Sequence, residues 1–239
     1  MRLSAPIFKL KREAKRLARE RAIPLHEALD RVAADEGFRS WSHLAASAST
    51  SGARPAARIL AALRPGEVVL IGARPGQGKT LLGLDLAAAA ADLGRAGFFF
   101  SLDCHERDVA DLYGALGLDR SERARALAID TSDDICADRI VDRLARTGRP
   151  AVAVVDYLQL LDQKRSNPSL QDQIEAISAF AKAEGAVVAM ISQIDRAFDL
   201  SGKRMPDRSD VRLPNPLDLS LFRRACFLHE GEVRLEAAG

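Results

Sequence analysis

Residues Gly72 to Thr80 read GARPGQGKT and fill the spacing G-x-x-x-x-G-K-[ST], with Gly72, Gly78, Lys79 and Thr80 in the fixed places. Each residue type answers a need of phosphate chemistry. Glycines let successive backbone amides curl around a polyphosphate, the Lys79 ammonium neutralises its β and γ groups, and the Thr80 hydroxyl offers Mg2+ a ligand where a helix begins. Arg74, Pro75, Gly76 and Gln77 inside the loop and Leu81 just after it complete the expected cradle. The apolar run EVVLI precedes the loop and a long helical pattern follows, which is the context such a loop requires. A nucleotide with Mg2+ is the expected occupant.

A second anchor for the metal should close another buried parallel strand, and AVAVVDYLQLL places Asp156 directly after five apolar residues. A carboxylate there would hold the ion through water while Thr80 holds it directly. A helix-capping or turn aspartate is the alternative, but Tyr157 to Leu161 continues apolar where a cap would be followed by a helical pattern. FFFSLDCHERD ends a strand at Asp103, where a carboxylate could polarise an attacking water; a plain turn residue is the competing reading. VVAMISQIDR puts Gln193 and Arg196 at the next strand end, placed to sense a γ phosphate and pass its presence into the following loop. His105 and His229 lack metal-ligand partners in sequence and read as ordinary surface or loop histidines.

The elements that must position these residues alternate. Strands are expected over Glu67–Ile71, Gly97–Leu102, Ala151–Val155 and Ala186–Ile191. Helices are expected over Lys79–Leu93, near Arg107–Leu116, and over Asp133–Arg146 and Leu170–Glu184. Continuous apolar strands separated by helices predict an α/β fold whose mostly parallel sheet is covered on both faces. Ser192 to Pro216 carries turn residues without periodicity and reads as a long functional loop. Cys226–His229 and Glu232–Leu235, separated by Gly231, read as a closing hairpin. Ahead of all this, Leu10, Ala14 and Leu17 share one helix face and Leu25, Ala28, Leu29 and Val32 another. Gly37 is a helix stop, and Phe38, Trp41 and Leu44 indicate a third short helix. The small, polar stretch AASASTSGARPAAR has the composition of a linker. A helical domain over 1–50, a linker over 51–58 and a second domain over 59–239 follow.

Of 239 residues, 47% are hydrophobic and 28% charged, which excludes fibrous and wholly disordered classes. A net charge of +2 excludes a polycation coating nucleic acid by charge alone. The basic charge is local: eight basic residues stand against two acidic ones in the first twenty-one. That helix reads as a packing or oligomerisation appendage or, more sharply, as a DNA contact, and its acids argue against a transit peptide. Three cysteines without CxxC spacing favour neither a disulfide framework nor a zinc site, so a reducing cytoplasm is expected. No apolar run reaches the roughly 18 residues of a membrane span.

GARPGQGKT, FFFSLD, VVDYLQLL and ISQIDR, in this order, resemble the C-terminal ATPase domain of DnaB-type replicative helicases, within the RecA-like P-loop superfamily. The resemblance covers roughly Leu60 to Leu228, and DYLQL is its most family-specific motif. It implies a RecA-like core, ATP and Mg2+ as ligands, and a homo-oligomeric ring, a hexamer by analogy, with ATP at the edge shared by neighbouring subunits. Lys79 and Thr80 would serve phosphate and magnesium, and Asp156 would be the Walker B acid. Gln193 would be the sensor, and Asp103 would take the catalytic carboxylate's place. KRMPDRSDVR, Lys203 to Arg212, resembles a divergent form of the family's post-sensor stretch. Single-stranded DNA would meet the Ser192–Pro216 loop. An ATPase coupled to DNA in replication or repair is the expected function. The alternatives are a slowly hydrolysing nucleotide-dependent switch or adaptor, and a regulatory ATPase of the clock-protein or recombinase style with a protein partner. Three departures bear on these. The family usually has glutamate where Asp103 stands, and no counterpart of its terminal segment, whose basic residues reach the neighbour's site, precedes Gly239. The first fifty residues are also shorter than a helicase collar.

Overall fold

The computed structural model describes residues 4–5, 7–41, 44, 55–104, 109, 112, 116, 122–161, 164, 166–213 and 215–237. The chain divides into two compact units, one holding residues 1–54 with 230–232 and the other residues 55–229 with 233–239. In the first, α1 (Ile7–Arg21) and α2 (Leu25–Asp35) pair through side chains spaced by one helical turn, Leu10 and Ala14 on α1 and Ala28 and Val32 on α2. Phe38 and Leu44 close this small core, Trp41 packs partly against it, and Lys11, Arg12, Lys15 and Arg16 stay exposed. Gly37 (φ 82°) stops α2, after which the Phe38 amide donates to the Ala33 carbonyl at 2.9 Å.

The second unit is built on seven strands: β1 (Val68–Ala73), β2 (Ala96–Ser101), β3 (Leu127–Asp130), β4 (Ala151–Asp156), β5 (Val187–Gln193), β6 (Arg224–His229) and β7 (Glu232–Ala237). Their order in the sheet is β3-β2-β4-β5-β1-β6-β7, and all pairings from β3 to β6 are parallel. Glu230 (φ 45°) and Gly231 (φ 81°) make the two-residue turn into β7, which is too short for a crossover and therefore returns the chain antiparallel. Among the described residues, the unit's α-helices are α3 (Pro55–Ala62), α4 (Lys79–Ala88), α5 (Glu122–Ala126), α6 (Ala137–Ala145) and α7 (Leu170–Glu184).

The pleat sends alternate strand residues into two cores. Val68, Leu70, Phe98 and Phe100 join Ile140 and Leu144 of α6 and Ile174 and Ile177 of α7. Val69, Ile71, Phe99, Val152 and Val154 join Ile59 of α3 and Leu84 and Leu86 of α4. Both faces are covered, which is why the strands read as unbroken apolar runs. At Gly97 a Cβ would lie 2.3 Å from the Ala87 carbonyl oxygen, so glycine is what lets β2 lie against the end of α4.

Four expectations are corrected. Strand β3 is absent from the sequence-based reading: of its four residues LAID only Leu127 and Asp130 are buried, and they follow a helical Arg/Ala pattern. The predicted hairpin arm at Cys226 is the inner strand β6, paired in parallel with β1 as well as leading into β7. Ser192–Pro216 is not a free loop. Phe198, Met205 and Val211 enter the core, Ile194 and Val211 form an antiparallel bridge, and Arg196–Leu200 and Arg208–Asp210 are 3-10 turns. Pro55 to Arg58, read as linker, opens helix α3. The helix expected near Arg107–Leu116 and most of the third N-terminal helix lie outside the described residues.

Candidate active site

Because the inner strands are parallel, their carboxyl ends share one edge, the edge where α/β sheets bind ligands. The register aligns them: Ala73 of β1 pairs with Gln193 of β5, and Ser101 of β2 with Asp156 of β4. Helix α4 starts at the loop after β1 and packs across β4, β2 and β5. That path carries Lys79 and Thr80 from the end of β1 over β5 to the end of β4, where Asp156 stands.

The loop itself needs its glycines for conformation. Gly76 (φ 78°) and Gly78 (φ 88°) are left-handed, although a Cβ at either would meet nothing within 4 Å. Left-handed glycines at these two positions are what a loop needs for its main-chain amides to cradle an anion at the start of α4. Lys79 is 8% exposed and makes no ion pair among the described residues, its Nζ lying 5.8 Å from the Tyr157 ring centroid. Thr80 and Leu81 are half-buried, whereas Pro75 is exposed and Gln77 half-buried. Gly72 is fixed by packing, since a Cβ would lie 2.8 Å from the Phe227 ring.

Asp156 is fully buried, and neither carboxylate oxygen has a hydrogen-bond partner among the described residues. Burial pushes its pKa up, against the pull of the Lys79 charge and of the Thr80 hydroxyl, which lies near without completing a bond; Asp103 pushes it up further. An orphaned carboxylate beside a lysine and a threonine is the donor set that a nucleotide-bound Mg2+ would use, with few protein ligands and the rest from water and phosphate.

Asp103 is exposed at the turn after β2, where the buried Ser101 hydroxyl accepts from the amides of Asp103 and Cys104 at 3.3 and 3.0 Å. Its charge is felt by both Asp156 and Tyr157. Gln193 is half-buried at the end of β5, its carbonyl accepting from the Arg212 amide at 2.8 Å, while Arg196 is exposed on the turn beyond. The sheet edge thus gathers Lys79, Thr80, Asp103, Asp156 and Gln193. Arg74 differs: its guanidinium turns to Asp199 and to the Ile194 carbonyl.

Sequence reasoning passes over two residues. Gln159 is buried, and its Nε2 donates to the Ser192 hydroxyl at 2.7 Å and to the Arg212 carbonyl at 2.6 Å, tying the β4 end to β5 and to the returning segment. Its signal is a single polar residue inside the apolar run YLQLL. Ser101 leaves none beyond its place at a strand end. His229 is corrected from a surface histidine: it stacks edge-on against Phe198 at 4.9 Å, with Nδ1 buried and unpartnered. His105 lies outside the described residues. Cys104, Cys136 and Cys226 form no disulfide, and burial pushes the Cys226 thiol up to about 12, leaving it unreactive.

The sheet order, the glycine loop and the acid at the end of β4 define a RecA-like P-loop domain. A sequence profile of the AAA domain family matches residues 39–212, and the chain belongs to that family. It is similar to the replicative DNA helicase DnaB of Mycoplasma genitalium, 25% identical over 199 residues that cover 66% of this chain and 42% of that protein. DnaB of Leifsonia xyli subsp. xyli is 28% identical over 183 residues, covering 63% and 40%. Among solved structures, one ATPase domain superposes with a TM-score of 0.57 at 22% identity over 70% of each chain. A DnaB-like replicative helicase, solved with its interactions with primase, gives 0.59 at 19% identity over 91% of this chain and 64% of that one. Together these show a likeness to the ATPase domain of DnaB-like replicative helicases. The chain spans about two fifths of the length of the curated relatives. Among the described residues no helix is long and apolar enough to cross a membrane.

Proposed function

We propose that this chain binds Mg-ATP at the Gly72–Thr80 loop and hydrolyses it as a DnaB-like ATPase whose turnover responds to single-stranded DNA. The observation that carries the reading is the buried, unpartnered carboxylate of Asp156 beside Lys79 and Thr80. Such a group is costly in an empty fold and is retained where a cation compensates it. The loop amides and Lys79 would bind and orient the β and γ phosphates, and Thr80 and Asp156 would hold Mg2+. Bound there, the ion would supply a Lewis acid that neutralises charge developing on the phosphate oxygens. Asp103 would accept the proton of the attacking water, and Gln193 would contact the γ phosphate from the end of β5. The DNA partner would meet the Ser192–Pro216 segment and the exposed basic face of α1, in a homo-oligomeric ring acting in replication or repair.

The exposure of Asp103, an aspartate where the related helicases have glutamate, favours one competing reading: a slowly hydrolysing switch that orders the same segment for DNA or a protein partner. Phosphate release from Mg-ATP with and without single-stranded DNA separates the two. The motor reading predicts DNA-stimulated release, and tight ATP binding without release in either condition supports the switch.

A further inference from the structure

We propose that Arg74 is a positioning residue, tying the phosphate loop to the turn after β5 so that nucleotide occupancy sets the order of residues 196–201, and that it is not itself a phosphate ligand. The proposal rests on the nucleotide reading of the loop and assigns one of its side chains a different task. All three nitrogens of the Arg74 guanidinium are engaged away from the loop. Nε lies 3.1 Å from each oxygen of Asp199, Nη2 lies 2.8 Å from Asp199 Oδ2, and Nη1 donates to the Ile194 carbonyl at 3.0 Å. A fork of this kind fixes orientation as well as distance, which an ammonium could not do. An isolated ion pair at a surface contributes little. Here the Arg74 side chain is only 24% exposed and a main-chain acceptor shares it.

What Arg74 grips explains the consequence. Ile194 directly follows Gln193 and is bridged to Val211, so it marks the entry to the turn; Asp199 marks the exit. Between them Asp195 caps the turn by accepting from the Ala197 amide at 2.8 Å, and Phe198 is buried against His229. Leu200, the last residue of the turn, is 91% exposed within the segment proposed to meet DNA. A loop residue holding the entry and the far side of a short turn transmits any shift of the loop backbone to it. The pair spans 125 positions in sequence, and no local pattern announces it.

The test is amide hydrogen exchange of residues 196–201 in the full chain, with and without a non-hydrolysable ATP analogue and Mg2+, with analogue affinity measured on the same samples. In the wild type the analogue should slow exchange across the turn. In Asp199→Asn that response should shrink by about fivefold or more, because the charge-assisted fork is lost, with affinity kept within about threefold. Asp199→Glu, which keeps a carboxylate for the fork, should retain the response. Arg74→Gln should match Asp199→Asn in both readouts. A roughly tenfold loss of affinity in Arg74→Gln alone would make Arg74 a phosphate ligand and overturn the proposal. So would an unchanged response in Asp199→Asn, or no response in a wild type that binds the analogue. A wild type that fails to bind the analogue at all would instead remove the nucleotide reading, and the role of the pair with it.

Discussion

Replacing Asp156 with asparagine should make the nucleotide-free protein more stable while disabling its use of magnesium. The carboxylate is completely buried and, among the described residues, has no hydrogen-bond partner and is compensated only by the Lys79 charge and the nearby Thr80 hydroxyl. An unsatisfied buried polar group costs about 1–3 kcal/mol, and a charged one more. Asparagine keeps the shape and removes the charge, so Asp156→Asn should gain about 1–3 kcal/mol without ligands. For a unit of this size each kcal/mol raises Tm by roughly 2–4 °C. The pH dependence has a definite sign. The folded pKa lies above the ordinary aspartate value of 3.8, so between the two the folded state keeps a proton that the unfolded chain has released. Wild-type stability therefore falls as pH rises through that interval, and the advantage of the variant should disappear below about pH 3.8, where both states are protonated. Thermal melts across pH, with ATP in the presence and absence of Mg2+, provide the assay. The wild type should gain stability from Mg2+ added to ATP, and the variant should gain much less. A variant less stable than the wild type at neutral pH without ligand, or one gaining equally from Mg2+, would refute the reasoning.

Three further outcomes are expected. Gly97→Ala would place a methyl group 2.3 Å from the Ala87 carbonyl oxygen, a main-chain obstacle, and should cost about 3 kcal/mol, the upper end for overpacking; a lower urea midpoint at unchanged slope would show it. Asp103→Asn should cut phosphate release by about 10²-fold or more while leaving ATP affinity within a few fold, and undiminished release would take the proton-accepting role away from Asp103. Asp207 is held down to about 2 by the Ser209 hydroxyl and Lys203, so its stabilisation is complete above the ordinary value of 3.8 and is lost as pH falls toward 2. Asp207→Asn should flatten that acid loss in melts over the same window, and an unchanged acid limb would count against it.

The parts of the site readable in sequence are those whose chemistry is local. GARPGQGKT carries its turn glycines, lysine and threonine within nine residues, and Asp156 follows a strand so uniformly apolar that its depth in the sheet can be read directly. What escapes is set by distant partners. Arg74 belongs by position to the phosphate loop, yet Asp199 decides where its side chain points. Gln159 has meaning only through Ser192 and the Arg212 carbonyl. The segment after Gln193 looks free because Phe198, Met205 and Val211 enter the core singly, without the period that marks a helix or strand. Strand β6 is legible as a strand, but six residues cannot declare which neighbour they pair with, and its parallel partner β1 lies about 150 positions earlier. Strand β3, four residues at the sheet's edge with only Leu127 and Asp130 buried, offers neither alternation nor a continuous apolar run.

Binding of ATP to the Gly72–Thr80 loop is the claim on which the rest depends, and equilibrium titration of wild type and Lys79→Ala with a fluorescent ATP analogue in Mg2+ tests it most directly. The buried lysine, without an ion pair among the described residues, predicts saturable wild-type binding that weakens by about tenfold or more in Lys79→Ala, the loss expected for one charge-assisted phosphate contact. Equal affinities, or no binding by a folded wild type, would contradict the account.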